Sequence, residues 1–278
     1  MRLPPVAPDR PAAVRGRRRS DRHPGPLLVL TALAVEQEAL GRALRGAARL
    51  VPTAPMPFAG LVWAPPEGRV RPSILVVRTG LAGGPLGAGA AVSAIQAARP
   101  AAVLSVGFAG GLDPALAVGD VVIGDPVVDP TLRAHWWPSA SLAAAISAAA
   151  RRAGLPLRVG PLLSVARVRA TPADKVAASA DSGAIAVDME SAGVARAATE
   201  ASVPFLAVRV VSDAAGDALP EEAWRLVSPD GRAPLYRALG YLARRPASLP
   251  VLVGTGIRAA RAARALEALL AAFAGEAG

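Results

Sequence analysis

The sequence predicts an α/β protein with a mostly parallel sheet covered by helices on both faces. Two observations carry that expectation. From residue 26 onward, short apolar runs alternate with stretches of helical periodicity. The 278 residues, 53% hydrophobic but only 4% aromatic, are also enough for one α/β domain whose core is mainly Ala, Val and Leu.

Taken in order, PLLVLTALA (26–34) reads as a buried strand and residues 35–47 as an amphipathic helix. FAGLVWA (58–64) and SILVVRTG (73–80) flank the turn-rich PPEGRVRP and read as a hairpin. Residues 85–99 are helical in pattern, AAVLSVG (101–107) is a parallel strand, FAGGLDPALAVGD a loop and VVIGD a short strand. A helix over 139–153 precedes an extended stretch at 155–168. TPADKVAASA opens a helix with Thr171 as N-cap and Pro172 at the first helical position. AIAVDM is a strand, ESAGVARAATEA a helix and PFLAVRVVSD a strand. A final helix, roughly 255–274, carries Arg258, Arg261 and Arg264 and docks on the sheet.

Composition narrows the chemistry. With no cysteine, disulfides, thiolate catalysis and Cys-based zinc sites are excluded. His23 and His135 are the only histidines, so neither a metal nor an organic cofactor is expected, and carboxylates and backbone must do the work. Half of the formal net charge of +10 lies in residues 1–25, and elsewhere the arginines are scattered, with Lys175 the only lysine. That distribution argues against a nucleic-acid partner. The expected organisation is a basic Pro/Arg-rich disordered tail (1–25) and a single domain (26–278). The basic stretch before PLLVLTALAVEQ resembles a signal peptide, but its apolar run ends at Glu36, too short to span a bilayer. The expected location is the cytoplasm, with the tail and the last helix as surfaces for peripheral membrane contact.

In a sheet of this class ligands bind beyond the carboxyl ends of the strands. Polar features collect there: Glu36 and Glu38, Thr79-Gly80, Phe108-Ala109-Gly110-Gly111, Asp188-Met189-Glu190, and Ser212-Asp213. Taken singly, Glu38 and Glu190 are acids favoured at helix starts and Asp213 is a turn or cap residue. TGLAGG (79–84) and GFAGGL (107–112) let a ligand approach the backbone, or merely permit tight turns, and TGLAGG lacks the spacing of a dinucleotide or P-loop motif. Five strand ends meeting at one rim favour use over ornament.

ALAVEQEAL, TGLAGG, GFAGGLDPALAVGDVV, AVDMESAGVARAA and VRVVSDAAGD together resemble the purine nucleoside phosphorylase and nucleosidase superfamily, above all its methylthioadenosine/S-adenosylhomocysteine nucleosidase branch. The resemblance covers most of residues 27–217. It implies a three-layer α/β/α sandwich around a mixed, partly barrel-like sheet, and a homo-oligomer. It also implies cleavage of a ribose–purine N-glycosidic bond. By resemblance, Asp213 protonates N7 of the base and so must be kept protonated, by burial or by neighbouring acids. Glu38 orients the attacking water, Glu190 holds the ribose hydroxyls and Met189 packs under the sugar. Ser212 and Arg209 steady the Asp213 loop; Thr79, Gly80, Ala109, Gly110 and Val168 line the pocket.

Two departures matter. Ser105 stands where phosphorylases commonly place a phosphate-gripping arginine, leaving Arg78 or Arg42 as substitutes; hydrolysis and phosphorolysis, with inorganic phosphate as co-substrate, both stay open. The stretch PVVDPTLRAHWWPSA is shorter than in typical nucleosidases and bears tryptophans, which suggests an open or oily 5′ side. That feature, with RRPASLPVLVG, is similar to the hopanoid-associated phosphorylases, which implies adenosylhopane, a lipid-linked small-molecule nucleoside, as substrate. The alternatives are a methylthioadenosine/S-adenosylhomocysteine nucleosidase or futalosine hydrolase and, from another class, a catalytically silent nucleoside-binding protein. The presence of Glu38, Glu190 and Asp213 together argues against the last.

Overall fold

The structure, a computed structural model, describes residues 25–45, 47–50, 60–64, 72–80, 85–219, 228, 232, 241 and 243–275. The basic tail up to residue 24, the hairpin turn PPEGRV and residues 81–84 of TGLAGG lie outside them.

Each predicted element is present, with shifted ends. The chain runs β1 (Leu27–Thr31), α1 (Ala34–Ala43), β2 (Ala48–Leu50), β3 (Gly60–Trp63), β4 (Ile74–Arg78), α2 (Pro85–Ala98) and β5 (Ala102–Gly111). It continues through β6 (Val121–Asp129), β7 (Ala134–Trp136), α3 (Ala140–Arg152), β8 (Leu157–Ser164), α4 (Pro172–Ser182) and β9 (Ala186–Asp188). α5 (Ser191–Glu200), β10 (Phe205–Asp213), a 3-10 turn at Pro246–Ser248 and α6 (Leu249–Ala274) complete it. The short strands β2 and β7 go beyond the sequence reading, because they carry too few residues to show a period.

The apolar runs divide their residues between two cores because successive strand side chains point to opposite faces. Leu27, Val29, Ile74, Val76, Leu104, Leu206, Val208 and Val210 pack with α1, α3 and α6. Leu28, Leu30, Leu75, Val77, Val103, Phe205, Ala207 and Val211 pack with α2 and α5. Both faces are covered, so the strands read as unbroken apolar runs and the molecule is a three-layer α/β/α sandwich.

The middle layer is mixed. β1 pairs in parallel with β4 and β5, and β3 joins β4 antiparallel as the predicted hairpin. β5 pairs in parallel with β10, β10 antiparallel with β6, β6 in parallel with β8, and β8 in parallel with β9. β9 returns antiparallel to β5 through Gly110 and Gly111, so these five strands close on themselves. That closure corrects one expectation. FAGG belongs to β5 rather than to a loop, because Phe108–Gly110 pair with β10 and Gly110–Gly111 with β9.

The helix α4 begins as its sequence predicts. Thr171 Oγ1 accepts from Asp174 N at 3.1 Å, while Asp174 Oδ2 accepts from Thr171 N at 3.1 Å, a reciprocal cap with Pro172 in the first turn. Gly183 ends the helix at φ 67°, a left-handed conformation that glycine adopts without strain. Replacing the cap with Thr171→Ala is expected to lower stability by about 1 kcal/mol, read as a shift in the urea midpoint.

Candidate active site

The rim where β1, β5, β8, β9 and β10 end forms a cavity open to solvent on one side. Glu36, Phe108, Ala109, Gly110, Val168, Met189, Glu190, Ser212 and Asp213 line it, so most of the residues predicted from separate segments do meet.

Glu36 is only 3% exposed and folds back over the start of its own helix. Its Oε2 accepts from the backbone N–H of Ala32 at 3.0 Å and Leu33 at 2.9 Å; its Oε1 accepts from Phe108 N at 2.8 Å. One side chain therefore bridges the first turn of α1 to β5. The approach needs Gly107: a Cβ there would sit 2.7 Å from Glu36 Oε1. Burial raises the Glu36 carboxyl above its ordinary range, against the opposing pull of the three N–H groups and Arg209.

Glu38, the acid expected to orient water, lies on the exposed side of α1 and does not line the cavity. Two residues along a helix is roughly 200° of rotation, so Glu36 and Glu38 cannot face the same way. The sequence places both at this strand end, and helical phase chooses between them.

Arg209 also departs from expectation. It is 2% exposed, and its guanidinium holds Asp188 and Ser105 rather than the Asp213 loop. Nε donates to Asp188 Oδ2 at 2.7 Å, Nη2 lies 2.6 Å from the same oxygen, and Nη1 donates to the carbonyls of Ser105 and Val208. Nη2 further donates to Ser105 Oγ at 2.8 Å. Asp188 Oδ2 in turn accepts from Ser191 N and Oγ, capping α5. The serine that stands in the phosphorylase arginine's place is thus a partner of Arg209.

Glu190 follows Asp188 at the start of α5, where its Oε2 accepts from Met189 N at 3.3 Å. Burial first, and the neighbouring Asp188 charge second, push its carboxyl up to about 8; Arg209 opposes and Glu36 adds to the rise.

Asp213 closes β10 at 2% exposure. Oδ1 accepts from Ser212 Oγ at 2.7 Å, and Oδ2 from Lys175 Nζ at 2.5 Å. Lys175 is fully buried and also donates to the carbonyls of Ala214 at 2.6 Å and Asp217 at 3.0 Å. Where the sequence reading expects burial or neighbouring acids around Asp213, the structure places a cation, Lys175, against its Oδ2. A lone lysine within an arginine-rich sequence is the signal available for this, although composition alone explains its rarity equally well.

The remaining site residues divide. Thr79 lines a smaller recess with Thr31, Glu36, Ser105 and Glu190, and its hydroxyl donates to Thr31 O at 3.1 Å. Gly80 is buried at φ 77° and does not line the cavity. Arg42 pairs with Glu267 of α6 at 2.8 Å, away from the cavity, and Arg78 lines neither the cavity nor the recess. Trp136 packs on the α2/α5 core instead of walling the 5′ side. Arg167, Arg169, Val165 and Leu219, absent from the sequence expectations, complete the cavity wall.

Residues 66–232, more than half of the chain, match the family described as the phosphorylase superfamily. The chain belongs to that superfamily. It is 32% identical over 140 residues to a 5′-methylthioadenosine/S-adenosylhomocysteine nucleosidase of Marinomonas sp. (strain MWYL1), covering 44% of this chain and 61% of that protein. A nucleosidase of the same name from Geobacillus thermodenitrificans (strain NG80-2) is 32% identical over 136 residues, 43% of this chain and 58% of the other. The chain thus spans about three fifths of the curated relatives it matches.

Among solved structures, futalosine hydrolase of Helicobacter pylori strain 26695 aligns with a TM-score of 0.68 at 18% identity, covering 91% of this chain and 98% of that one. The 5′-methylthioadenosine/S-adenosyl homocysteine nucleosidase of Campylobacter jejuni aligns at 0.60 and 18% identity, over 69% of this chain and 87% of that one. These likenesses establish the α/β fold with its mixed, partly barrel-like sheet.

The raised Glu190 carboxyl has a stability consequence. The folded protein keeps that proton up to about pH 8, whereas the unfolded chain releases it near 4.5, so the folded state binds more protons between those values. Stability should therefore fall as pH rises through this window and level off above it. Glu190→Gln should reduce that fall, with Glu36 keeping a share of it, as measured by urea midpoints at about pH 5 and about pH 9.

Proposed function

We propose that this protein hydrolyses the N-glycosidic bond of a purine nucleoside. The observation that carries the reading is the meeting of Glu36, Glu190 and Asp213 on one cavity, each from a different strand end. Breaking a ribose–purine bond builds positive charge on the sugar and negative charge on the base. Glu36 and Glu190 lie on the side that suits an electron-poor sugar, with Met189 as its apolar floor. Asp213 protonates N7 of the leaving base, with Ser212 aligning its carboxyl. Acid catalysis of this kind is worth roughly 10²–10⁴-fold. Phe108, Val168, Val187 and Leu219 offer apolar surface to the purine.

Water as the acceptor, in preference to phosphate, is supported by the polar recess at Glu36 and by the commitment of the cation beside it. The recess beneath the cavity is lined by Glu36, Glu190, Thr31, Thr79 and Ser105, a polar surround suited to a water molecule. Its one cation among the described residues, Arg209, is fully engaged by Asp188, Ser105 and Val208. A phosphate dianion there would find that guanidinium already committed to other acceptors. Glu36 takes the role assigned from sequence to Glu38: its fixed carboxylate orients the water and receives its proton.

For the 5′ substituent, an open groove adjoins the cavity and shares Val165 and Met189 with it. Leu132, 52% exposed, and Ala192 add apolar surface to it, alongside the polar Asp129, Thr131, Ser164 and Arg196. This supports a bulky apolar 5′ group, hence adenosylhopane, the lipid-linked adenosine implied by the sequence resemblance. A methylthioadenosine/S-adenosylhomocysteine nucleosidase or futalosine hydrolase is the second reading, favoured by the names of the relatives.

Adenine release from adenosines varied at C5′, with and without phosphate, tests the proposal. The expected result is phosphate-independent release that tolerates large apolar 5′ groups; cleavage of methylthioadenosine alone would defeat the lipid reading. Glu36→Gln and Asp213→Asn should each slow turnover by about 100-fold or more, while Glu38→Gln should leave it unchanged.

A further inference from the structure

Protonation of the base requires a proton at residue 213, and both oxygens of that carboxyl face hydrogen-bond donors of the protein. Asp213 Oδ1 accepts from Ser212 Oγ and Oδ2 from Lys175 Nζ, so the carboxyl stands as an acceptor at both oxygens. Lys175 Nζ makes three hydrogen bonds, to Asp213 Oδ2, Ala214 O and Asp217 O, and every partner is an acceptor. Three donated bonds are what an ammonium group provides and what a neutral amine cannot. The transferable proton beside the base therefore resides on nitrogen.

We propose that Lys175 is the proton reservoir for Asp213, a positioning residue that acts on the substrate only through that carboxylate. This deepens the nucleoside-hydrolase reading and rests on it. The Nζ–H bond of Lys175 breaks and the proton joins Asp213 Oδ2. The new O–H turns about its C–O bond towards the cavity and passes the proton to N7 of the purine. The C1′–N9 bond breaks, its electron pair leaving with the base, which departs neutral. The water oxygen bonds to C1′ and its second proton goes to Glu36. Lys175 is left as an amine and Asp213 again as a carboxylate; the proton on Glu36 returns to the pair through solvent.

The surroundings suit a lysine in this role. At 0% exposure Lys175 is shielded from solvent, and the acceptors that its Nζ reaches among the described residues are the Asp213 oxygen and two backbone carbonyls. Its stem rises from the first turn of α4, whose start is held by the Thr171–Asp174 cap. The turn it grips is held from the other side: Asp217 Oδ2 accepts from Ala214 N at 2.9 Å and faces Arg258 of α6 at 3.8 Å. An arginine at position 175 would supply the charge but not the proton, because guanidinium does not deprotonate in proteins. That difference gives a reason for the chain's lone lysine to stand here.

The experiment compares leaving groups. Lys175→Met and Lys175→Gln, each checked for folding by thermal melting, are assayed on the preferred purine nucleoside and on a 4-nitrophenyl riboside bearing the same 5′ group, whose phenolate departs without a proton. The expected result is a loss of about 100-fold or more in kcat on the purine, with the nitrophenyl riboside cleaved within about threefold of the parent protein. Lys175→Gln keeps two N–H donors for the carbonyls, so it guards against a variant that fails to fold. A second arm uses the purine alone. Adding Lys175→Met to Asp213→Asn should slow turnover no further, because residues acting as one unit are not additive. Equal losses on both leaving groups, no loss on either, or a multiplied loss in the double variant would each overturn the proposal. Failure of the unsubstituted protein to release base from any nucleoside would overturn both this and the function it rests on, so the two failures are told apart.

Discussion

The guanidinium of Arg209 is buried within the sheet, and the arrangement of the site depends on its having a partner for each N–H. Asp188 neutralises it from β9, Ser105 receives it from β5, and Val208 from its own strand. Removing one partner from a buried pair typically costs about 3–5 kcal/mol, because the other charge is left without compensation. The pair thus ties together three strands that are distant in sequence. Because Asp188 also accepts from Ser191 N and Oγ, the same contact sets the start of α5 and the position of Glu190.

Around that anchor the remaining charges are arranged by distance from cations. Asp213 pairs with Lys175 and Asp188 with Arg209, while burial and like charge outweigh the pull of Arg209 on Glu190, so its carboxyl rises to about 8. Glu36 has three backbone N–H groups bonded to it, with Arg209 acting from further off; the bonds fix its direction while burial raises it. Four carboxyl groups within one rim therefore differ in character through their partners. Such divergence is what acid–base chemistry on two sides of a scissile bond requires.

Much of this is legible in the sequence because the signals are local. Unbroken apolar runs mark the strands, the TPAD start marks α4, and the position of the acids at strand ends marks the rim. Asp213, Glu190, Met189, Ser212, Ala109, Gly110 and Val168 do line one cavity. Where sequence and structure part, the cause is tertiary. FAGG reads as a loop because glycines weaken strands, yet the closing of β9 and β10 onto β5 supplies hydrogen bonds that outweigh the propensity. The resemblance assigns Arg209 to the Asp213 loop, but in the folded chain Asp188 from β9 and Ser105 from β5 take its guanidinium.

The sequence by itself determined the class of fold, the number and order of its main elements and the stretch of chain in which each acid of the rim stands, since periodicity and turn chemistry act over a few residues. Only the tertiary structure decided which of Glu36 and Glu38 faces the cavity, that Arg209 belongs to Asp188, and that Lys175 meets Asp213 from 38 positions away. The physical reason is the same in each case. Charge in a low-dielectric interior is governed by what lies within hydrogen-bond reach, and that neighbourhood exists only once distant segments have packed.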